Sequence, residues 1–247
     1  MLHRGRFFEV PRTTYRTAEG AVEVPILYYD VSTLTAFFLV PRANAVTALD
    51  GTGLEPGLAF GQRALVALSF YEYRDTSVGV YNEVGTAVFA ARRGERRHWL
   101  TPAVWVVDLP VTTAAAYAAG REIWGYPKFV TTIGFQLHGR DFEGVVDSPS
   151  GRGPIMTLAG RMGLGVPAPA LSFDTYTRQG GTLLRTHIDV RGMNKAHRGG
   201  TLRVKLGTST HKMVDNLRML GLDEARPVVV LQTDRFQSKL HAGMAIG

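Results

Sequence analysis

The sequence predicts a mainly β fold of the α+β class: one domain, residues 1–247, built on an antiparallel barrel-like or cone-like sheet with a few short helices. Three observations predict it. First, a length of 247 residues suits a single all-β barrel domain. Second, β-branched and aromatic runs bounded by turn residues recur along the whole chain. Third, no linker, repeat or low-complexity tract interrupts these runs.

The strand signals come in order along the chain after a mixed segment, residues 1–24, which we expect to wrap the surface. The first strand should break near Ser32. Each later run is rich in Val, Ile, Thr, Tyr or Phe. The predicted strands are residues 26–40, 64–74, 78–91, 99–109, 128–135, 144–147, 155–159, 182–190, 201–205 and 228–232.

Helical signals are confined to three short segments. Thr112 or Thr113 fits the N-cap of the second helix, and Gly120 its end. Ser209 fits the N-cap of the third, and Gly221 its stop. The predicted helical segments are residues 42–49, 112–120 and 209–220.

The composition argues against several classes of protein. The formal net charge is +7, but the densest basic run, residues 92–98, fits a solvated hairpin loop, and no nucleic-acid-binding module is recognisable. We therefore expect no nucleic-acid partner. No apolar run reaches the ~18 residues that a membrane helix needs. The absence of cysteine and of an apolar signal core leads us to expect a cytoplasmic protein.

Lys128 is the most informative single residue, because it follows a Gly-Tyr-Pro bend and is one of only five lysines. An amine attacks a carbonyl carbon only when it is unprotonated, and apolar surroundings disfavour the ammonium form. Trp124 and Tyr126 could supply such an apolar wall. The alternative from spacing alone is a strand-end lysine whose amine extends into solvent.

Other patterns give weaker signals. The histidines have no metal-binding spacing, so we predict no metal site. Ser209 and Lys212 match a Ser-x-x-Lys pattern, but its companion elements are missing. Asp141 and Glu143 share one face of a predicted strand, and their polar context favours solvated charges over an acid–base pair.

Three stretches resemble the acetoacetate decarboxylase family. The family signature is similar to residues 120–128, GREIWGYPK. The family segment that carries the active-site glutamate is similar to residues 75–83, DTSVGVYNE, with one residue fewer. Residues 220–236 also resemble the family, so the similarity extends over most of the chain.

This resemblance implies a function and its residues. Lys128 would form a Schiff base with a small oxo acid, and Glu83 would move protons beside it. Tyr81 would face the same pocket, and Arg121 belongs to the signature as a further candidate pocket residue. The family also implies a homo-oligomer and no metal or organic cofactor.

The sequence departs from the family pattern at three places. Phe129 stands where the family decarboxylase has a second lysine, and Ser69 stands near the position of a second carboxylate. Residues 33–40 contain no cation where the family places an arginine for the substrate carboxylate. Arg12 or Arg16 would have to replace that arginine, or the pocket accepts a different carbonyl compound.

Three functions follow as hypotheses. The leading one is a decarboxylase that acts on a β-keto acid through Lys128. The second is aldolase or dehydratase chemistry on an oxo acid through the same lysine. The third is a non-catalytic barrel that binds a small molecule.

Overall fold

A computed structural model of the protein describes residues 5–95 and 102–246. A 3-10 turn, Arg6–Phe8, opens the described chain, and the helices are α1 (Arg42–Ala48), α2 (Ala114–Trp124) and α3 (Lys212–Leu220). The strands are β1 (Thr13–Thr17), β2 (Gly20–Val24), β3 (Ile26–Pro41), β4 (Leu54–Pro56), β5 (Ala59–Phe60), β6 (Arg63–Thr76), β7 (Tyr81–Arg92), β8 (Ala103–Asp108), β9 (Ile133–His138), β10 (Asp141–Asp147), β11 (Pro154–Arg161), β12 (Gly165–Pro169), β13 (Phe173–Gln179), β14 (Thr182–Arg191), β15 (Met193–Arg198), β16 (Arg203–Leu206), β17 (Val229–Leu240) and β18 (Met244–Ala245).

Seven strands close into a barrel in the order β3, β6, β7, β8, β13, β14 and β17. The strand pairs are antiparallel except β8 with β13, which is parallel. The predicted mainly β, barrel-like fold is therefore confirmed. A second sheet, in the order β16, β11, β10 and β9, packs on the barrel, and β1 and β2 form a separate hairpin.

Both faces of strand β3 are buried: one lines the cavity inside the barrel, and the other packs in the core outside it. Its alternate residues Thr33 and Thr35 face a cavity inside the barrel. Leu34 and Ala36, which alternate with these two threonines, are fully buried on the other face of the strand. Because successive side chains of a strand point to opposite faces, a strand buried on both sides reads as a nearly continuous apolar run.

The outer core lies between the barrel and the second sheet. Phe70 of β6 meets Phe142 of β10 edge to face, with ring centroids 5.3 Å apart. Met213 and Leu217 of α3 are fully buried in the same cluster. This packing holds one wall of the barrel rigid, and the cavity lies on the opposite face of that wall.

Several boundaries differ from the sequence-based predictions. β3 continues past Ser32, and the expected break is only a shift of pairing register near Asp30. Residues 1–24 were expected to be mixed, yet they contain the β1–β2 hairpin. Residues 128–132 lie outside any strand, and β9 begins at Ile133. The predicted strand 99–109 is seen as β8. Residues 99–101 of that prediction and residues 96–98 of the basic run lie outside the described residues.

The helices also correct two predictions. α2 does not end at Gly120 but continues to Trp124, and Gly125 ends it in the left-handed conformation. Thr113 is its N-cap, as one of the two predicted alternatives. The N-cap of α3 is His211, not Ser209, whose hydroxyl instead accepts from the His211 backbone. No helix of residues 5–95 and 102–246 is long and apolar enough to cross a membrane.

Candidate active site in the barrel

The barrel encloses a cavity of about 360 Å³. Alternate residues of the barrel strands line it, as Ser69, Tyr71 and Tyr73 of β6 and Glu83 and Gly85 of β7 illustrate. This volume lies at the lower end of the ~300–1,000 Å³ that ligand pockets occupy. The cavity is therefore large enough for a small organic ligand.

Lys128 and Glu83 meet at the cavity wall. Lys128 Nζ lies 2.5 Å from Glu83 Oε2, and the two residues are only 8% and 7% exposed. Both line the cavity, so an amine and a carboxylate face the same enclosed space. An exposed Lys128, which was the alternative from spacing, does not occur.

The end of α2 sets the position of Lys128. The left-handed Gly125 turns the chain, and the Tyr126 amide then donates to the Gly120 carbonyl over 3.0 Å. The following residues run alongside residues 109–111 and bond to them through their backbone. Lys128 therefore lies on a segment that backbone hydrogen bonds hold on both sides of it.

Gly120 gives the Lys128 side chain its path. A Cβ built on Gly120 would lie 2.3 Å from Lys128 Cε and 2.5 Å from its Cδ. The lysine stem thus passes directly over the helix backbone, in space that any larger residue would fill. This close approach is a physical reason for the glycine at the start of the 120–128 stretch.

Glu83 is held by the β6–β7 hairpin. Tyr71 lies opposite Glu83 in the strand pair, and Tyr73 lies opposite Tyr81. The Tyr73 hydroxyl donates to Glu83 Oε1 over 3.2 Å. One carboxylate oxygen thus accepts from a phenol and the other from Lys128.

The tyrosines around this pair act as hydrogen-bond donors at neutral pH. Burial raises the pKa of Tyr71 to about 12, with a smaller contribution from the charge of Glu83. Burial, and then Glu83, raise the pKa of Tyr73 well above its ordinary value of about 10. Phenols with such pKa values stay protonated, so Glu83 is the described group beside Lys128 that can accept a proton.

The other predicted site residues lie at different distances from the Lys128–Glu83 pair. Tyr126 lines the cavity, and its hydroxyl lies 2.6 Å from Thr175 Oγ1. Tyr81 lies next to Lys128, with Nζ 5.7 Å from its ring centroid. Its hydroxyl points to Tyr28 Oη at 3.4 Å, and it is not among the residues that line the cavity.

Trp124 and Arg121 are not brought to the cavity. Trp124 is completely buried, and its indole donates to the His241 carbonyl over 2.8 Å. Arg121 is exposed near the end of α2, with its guanidinium 5.9 Å from the Tyr117 ring. The sequence proximity of both residues to Lys128 reflects the helix that ends there.

Uncharged side chains occupy the positions at which the sequence departs from the family pattern. Phe129 does not line the cavity and packs against His211, with ring centroids 4.2 Å apart and ring planes tilted by 39°. Thr35 donates to Ser69 Oγ over 3.0 Å on the cavity wall. Arg12 pairs with Glu23, and Arg16 is exposed in β1, so neither reaches the cavity.

The sequence-based reasoning missed the tyrosines of β6. Ser69, Tyr71 and Tyr73 alternate along a strand that was predicted, and this period of two places them on one face. No group of three or more acidic or histidine side chains in the described ranges could hold a metal ion.

The fold and the site together define a class: a barrel protein whose enclosed cavity presents a buried lysine–glutamate pair. The sequence model described as "Acetoacetate decarboxylase (ADC)" matches residues 9–233. The chain therefore belongs to the acetoacetate decarboxylase family, as the resemblance of its motifs predicted. The comparison with curated proteins finds no significant match.

Solved structures share the fold at low sequence identity. An acetoacetate decarboxylase from Legionella pneumophila is 15% identical with a TM-score of 0.68, over 97% of this chain and 92% of that one. The enduracididine biosynthesis enzyme MppR, complexed with pyruvate, is 13% identical with a TM-score of 0.64, over 96% and 99%. An acetoacetate decarboxylase-like enzyme from Sphingomonas wittichii RW1 is 12% identical with a TM-score of 0.65, over 91% and 94%.

Proposed function

We propose that this member of the family is a carbon–carbon lyase that forms a Schiff base between Lys128 and a carbonyl substrate, with Glu83 as its proton carrier. The observation that carries the proposal is the buried pair at 2.5 Å on the wall of the barrel cavity. An isolated buried ammonium or carboxylate is costly, so a pair open to a cavity is a candidate for chemistry.

Formation of the Schiff base begins with a proton transfer from the Lys128 ammonium to Glu83. The free amine attacks the carbonyl carbon, and the π electrons move to oxygen. Protonated Glu83 gives its proton to that oxygen, and a second proton then passes from the nitrogen through Glu83 to the same oxygen. The oxygen leaves as water, and an iminium remains. The positive iminium nitrogen is an electron sink for the bond that breaks next.

The iminium can accept electrons from either of two bonds. In a β-keto acid the bond to the carboxylate breaks and CO₂ leaves, as the family name suggests. In a β-hydroxy carbonyl compound the bond to the hydroxyl carbon breaks, and an aldehyde leaves. Both routes give an enamine, which is protonated on carbon and hydrolysed by water to release the product.

The non-catalytic alternative, a barrel that only binds a small molecule, has less support. Such a barrel needs no glycine beneath the lysine stem and no phenol on the glutamate, yet both Gly120 and Tyr73 are in place.

The composition and the family resemblance further lead us to expect a cytoplasmic homo-oligomer. Size-exclusion chromatography with light scattering can test the oligomeric state.

Exchange of ketone α-protons in D₂O tests the proposed function without knowledge of the natural substrate. Formation of the enamine removes an α-proton, so proton NMR of a methyl ketone, and separately of a 2-oxo acid, reports each turnover. We expect the wild-type protein to catalyse α-proton exchange in at least one of the two compounds. With Lys128→Ala, exchange should proceed only at the rate seen in buffer alone. Glu83→Gln should exchange about 10²–10⁴-fold more slowly, which is the usual contribution of general acid–base catalysis.

The matched control is Glu143→Gln, which changes an exposed carboxylate on β10. It should exchange at the wild-type rate. Exchange by neither compound, or equal exchange by wild type and Lys128→Ala, would contradict the proposal.

A further inference from the structure

The described wall of the cavity carries no net charge. Lys128 and Glu83 are the two charged residues among those that line it in residues 5–95 and 102–246, and they pair with each other. The described lining contains no arginine and no histidine. A substrate carboxylate would therefore find no cation there except the nucleophile itself.

Two cations that neighbour cavity residues in the barrel strands point to the outer face of the barrel. Arg74 follows the cavity residue Tyr73 in β6 and bonds to Asp30, with Nη2 2.6 Å from Oδ1. Lys239 follows the cavity residue Ser238 in β17 and lies 3.0 Å from Asp189 Oδ2. Because neighbours on a strand point to opposite faces, these cations cannot turn inward without a change of register.

Apart from Lys128 and Glu83, the polar side chains that line the described cavity are uncharged. Thr35 and Ser69 share a hydrogen bond on the wall, and Tyr71 and Asn194 lie on the lining as well. Hydroxyls and an amide can bond a ketone oxygen or an alcohol. They compensate poorly for the desolvation of a carboxylate, whose burial without a partner charge costs several kcal/mol.

The rest of the described wall is apolar, with four phenylalanines among a larger number of aliphatic side chains. A small oxo acid would cover little of this wall, whereas an aryl or branched alkyl group would displace water from it. The apolar residues that form this part of the lining include Phe37, Phe89, Phe173, Leu231 and Phe236.

We infer that the substrate is a neutral β-hydroxy ketone with an apolar, aryl-sized group, cleaved by a retro-aldol reaction to a ketone and an aldehyde. This inference rests on the proposed Schiff-base function. After Lys128 forms the iminium, Glu83 takes the proton of the β-hydroxyl. The oxygen electrons form the aldehyde C=O, the C–C bond breaks, and its electron pair forms the enamine.

The cycle closes without any further reactant except water. Protonated Glu83 gives its proton to the enamine carbon, which restores the iminium. Water then hydrolyses the iminium to the ketone and the Lys128 ammonium, which restores the starting pair with Glu83. This water replaces the one lost when the Schiff base formed. The same steps in reverse join a ketone to an aldehyde.

Reductive trapping with a matched pair of compounds tests the inference. Benzylacetone is a neutral methyl ketone with a phenylethyl group, and its partner is the 2-oxo acid with a carboxylate in place of the methyl group. Each is titrated against the wild-type protein with cyanoborohydride, and intact mass spectrometry gives the concentration for half-labelling. We expect that concentration to be at least roughly tenfold lower for benzylacetone than for the 2-oxo acid, and lower for benzylacetone than for acetone.

The possible failures are distinguishable. Equal or tighter labelling by the 2-oxo acid would overturn the inference and leave the Schiff base intact. Equal labelling by acetone and benzylacetone would overturn its apolar, aryl-sized part. No adduct with any of the three compounds would contradict the proposed function itself.

A variant supplies a second measurement. Thr35→Arg adds a cation to the described lining, and its fold is checked by circular dichroism. In the folded variant the half-labelling concentration of the 2-oxo acid should fall by roughly tenfold, because its carboxylate gains a charged partner. An unchanged preference for benzylacetone over the 2-oxo acid would count against charge as the origin of the selectivity.

Discussion

At the scale of single residues, the proposed chemistry depends on the transfer of one proton from Lys128 to Glu83. While the pair is ionised, the amine has no lone pair for attack, and the charges stabilise each other in the buried wall. A carbonyl substrate draws the proton to Glu83 only if the carboxylate is well placed to take it. Tyr73 sets that placement through its bond to the second oxygen.

The variant Tyr73→Phe tests this positioning role. Loss of one hydrogen bond to a carboxylate is worth about 1.5–3 kcal/mol, so we expect α-proton exchange to slow by roughly ten- to a hundredfold. Reductive labelling of Lys128 at saturating ketone should still occur. Slow exchange with retained labelling is the result expected if Tyr73 positions Glu83 and is not needed for the fold.

Tyr117→Phe is the matched control, since it removes a phenol from an exposed position on α2. Its exchange rate should match the wild type. If Tyr73→Phe behaves like this control, Tyr73 does not position Glu83.

The sequence predicted Lys128 and Glu83, which are together in the structure, because the family motifs mark both positions. It could also have predicted the Ser69, Tyr71 and Tyr73 face from strand periodicity. It could not predict that Trp124 and Arg121 stay outside the cavity. That outcome depends on the angle at which α2 ends, which no local pattern encodes.

At the scale of secondary-structure elements, α2 and the segment after it form the support for Lys128. A glycine in a helix usually signals its end, which is why Gly120 was expected to stop α2. Its function in the structure is different: the missing side chain makes room for the lysine stem. The stop signal is Gly125, five residues later.

The variant Gly120→Ala separates the two roles of that glycine. The added Cβ would occupy the path of Lys128 Cε, so the amine must move from Glu83. Alanine favours the helix by up to about 1 kcal/mol, but separation of the buried pair costs more than that. We expect loss of most α-proton exchange together with lower thermal stability.

Ala114→Gly serves as the opposite control, because Ala114 is exposed at the start of α2. It should lower stability slightly and leave exchange unchanged. Wild-type exchange by Gly120→Ala would show that the lysine path is not constrained by the helix.

Other elements show where local patterns reach their limit. The strand β13 was not predicted, although it completes the barrel and contributes Thr175 to the cavity wall. Residues 128–132 have strong strand composition but form only an isolated bridge at Val130. In both cases the pairing partners, which are distant in sequence, decide the outcome.

At the scale of the whole molecule, the barrel stays closed around a partly empty interior because its outer face is packed. The second sheet and α3 cover one side, and Asp108 at the end of β8 links the barrel to α3. The Asn216 amide donates to both Asp108 carboxylate oxygens, at 2.9 and 3.1 Å. This contact puts a buried acid at a junction of the fold.

The stability of the protein should depend on pH through Asp108. Burial raises the pKa of Asp108 to about 6 from its ordinary value of 3.8, against the bond from Asn216 and the charge of Lys212. A raised folded pKa means that stability is present at low pH and is lost as the pH rises from about 3.8 to about 6. The loss is on the order of 3 kcal/mol for a shift of about two units.

Urea unfolding of wild type and Asp108→Asn at a series of pH values checks this. The asparagine mimics the protonated acid, so the difference in free energy of unfolding should move in favour of Asp108→Asn between about pH 3.5 and 7. Groups common to both proteins cancel in that difference. A difference that does not change with pH would contradict the account of Asp108.

In the proposed function, Lys128 is the amine that forms a covalent bond with the substrate. The most direct measurement is peptide mapping by mass spectrometry after a methyl ketone and cyanoborohydride are added. The internal comparison is Lys239, which is also buried but faces away from the cavity. We predict one adduct, on Lys128, that persists in Lys239→Arg and vanishes in Lys128→Ala. An adduct elsewhere that survives Lys128→Ala, or none with any ketone, would contradict the claim.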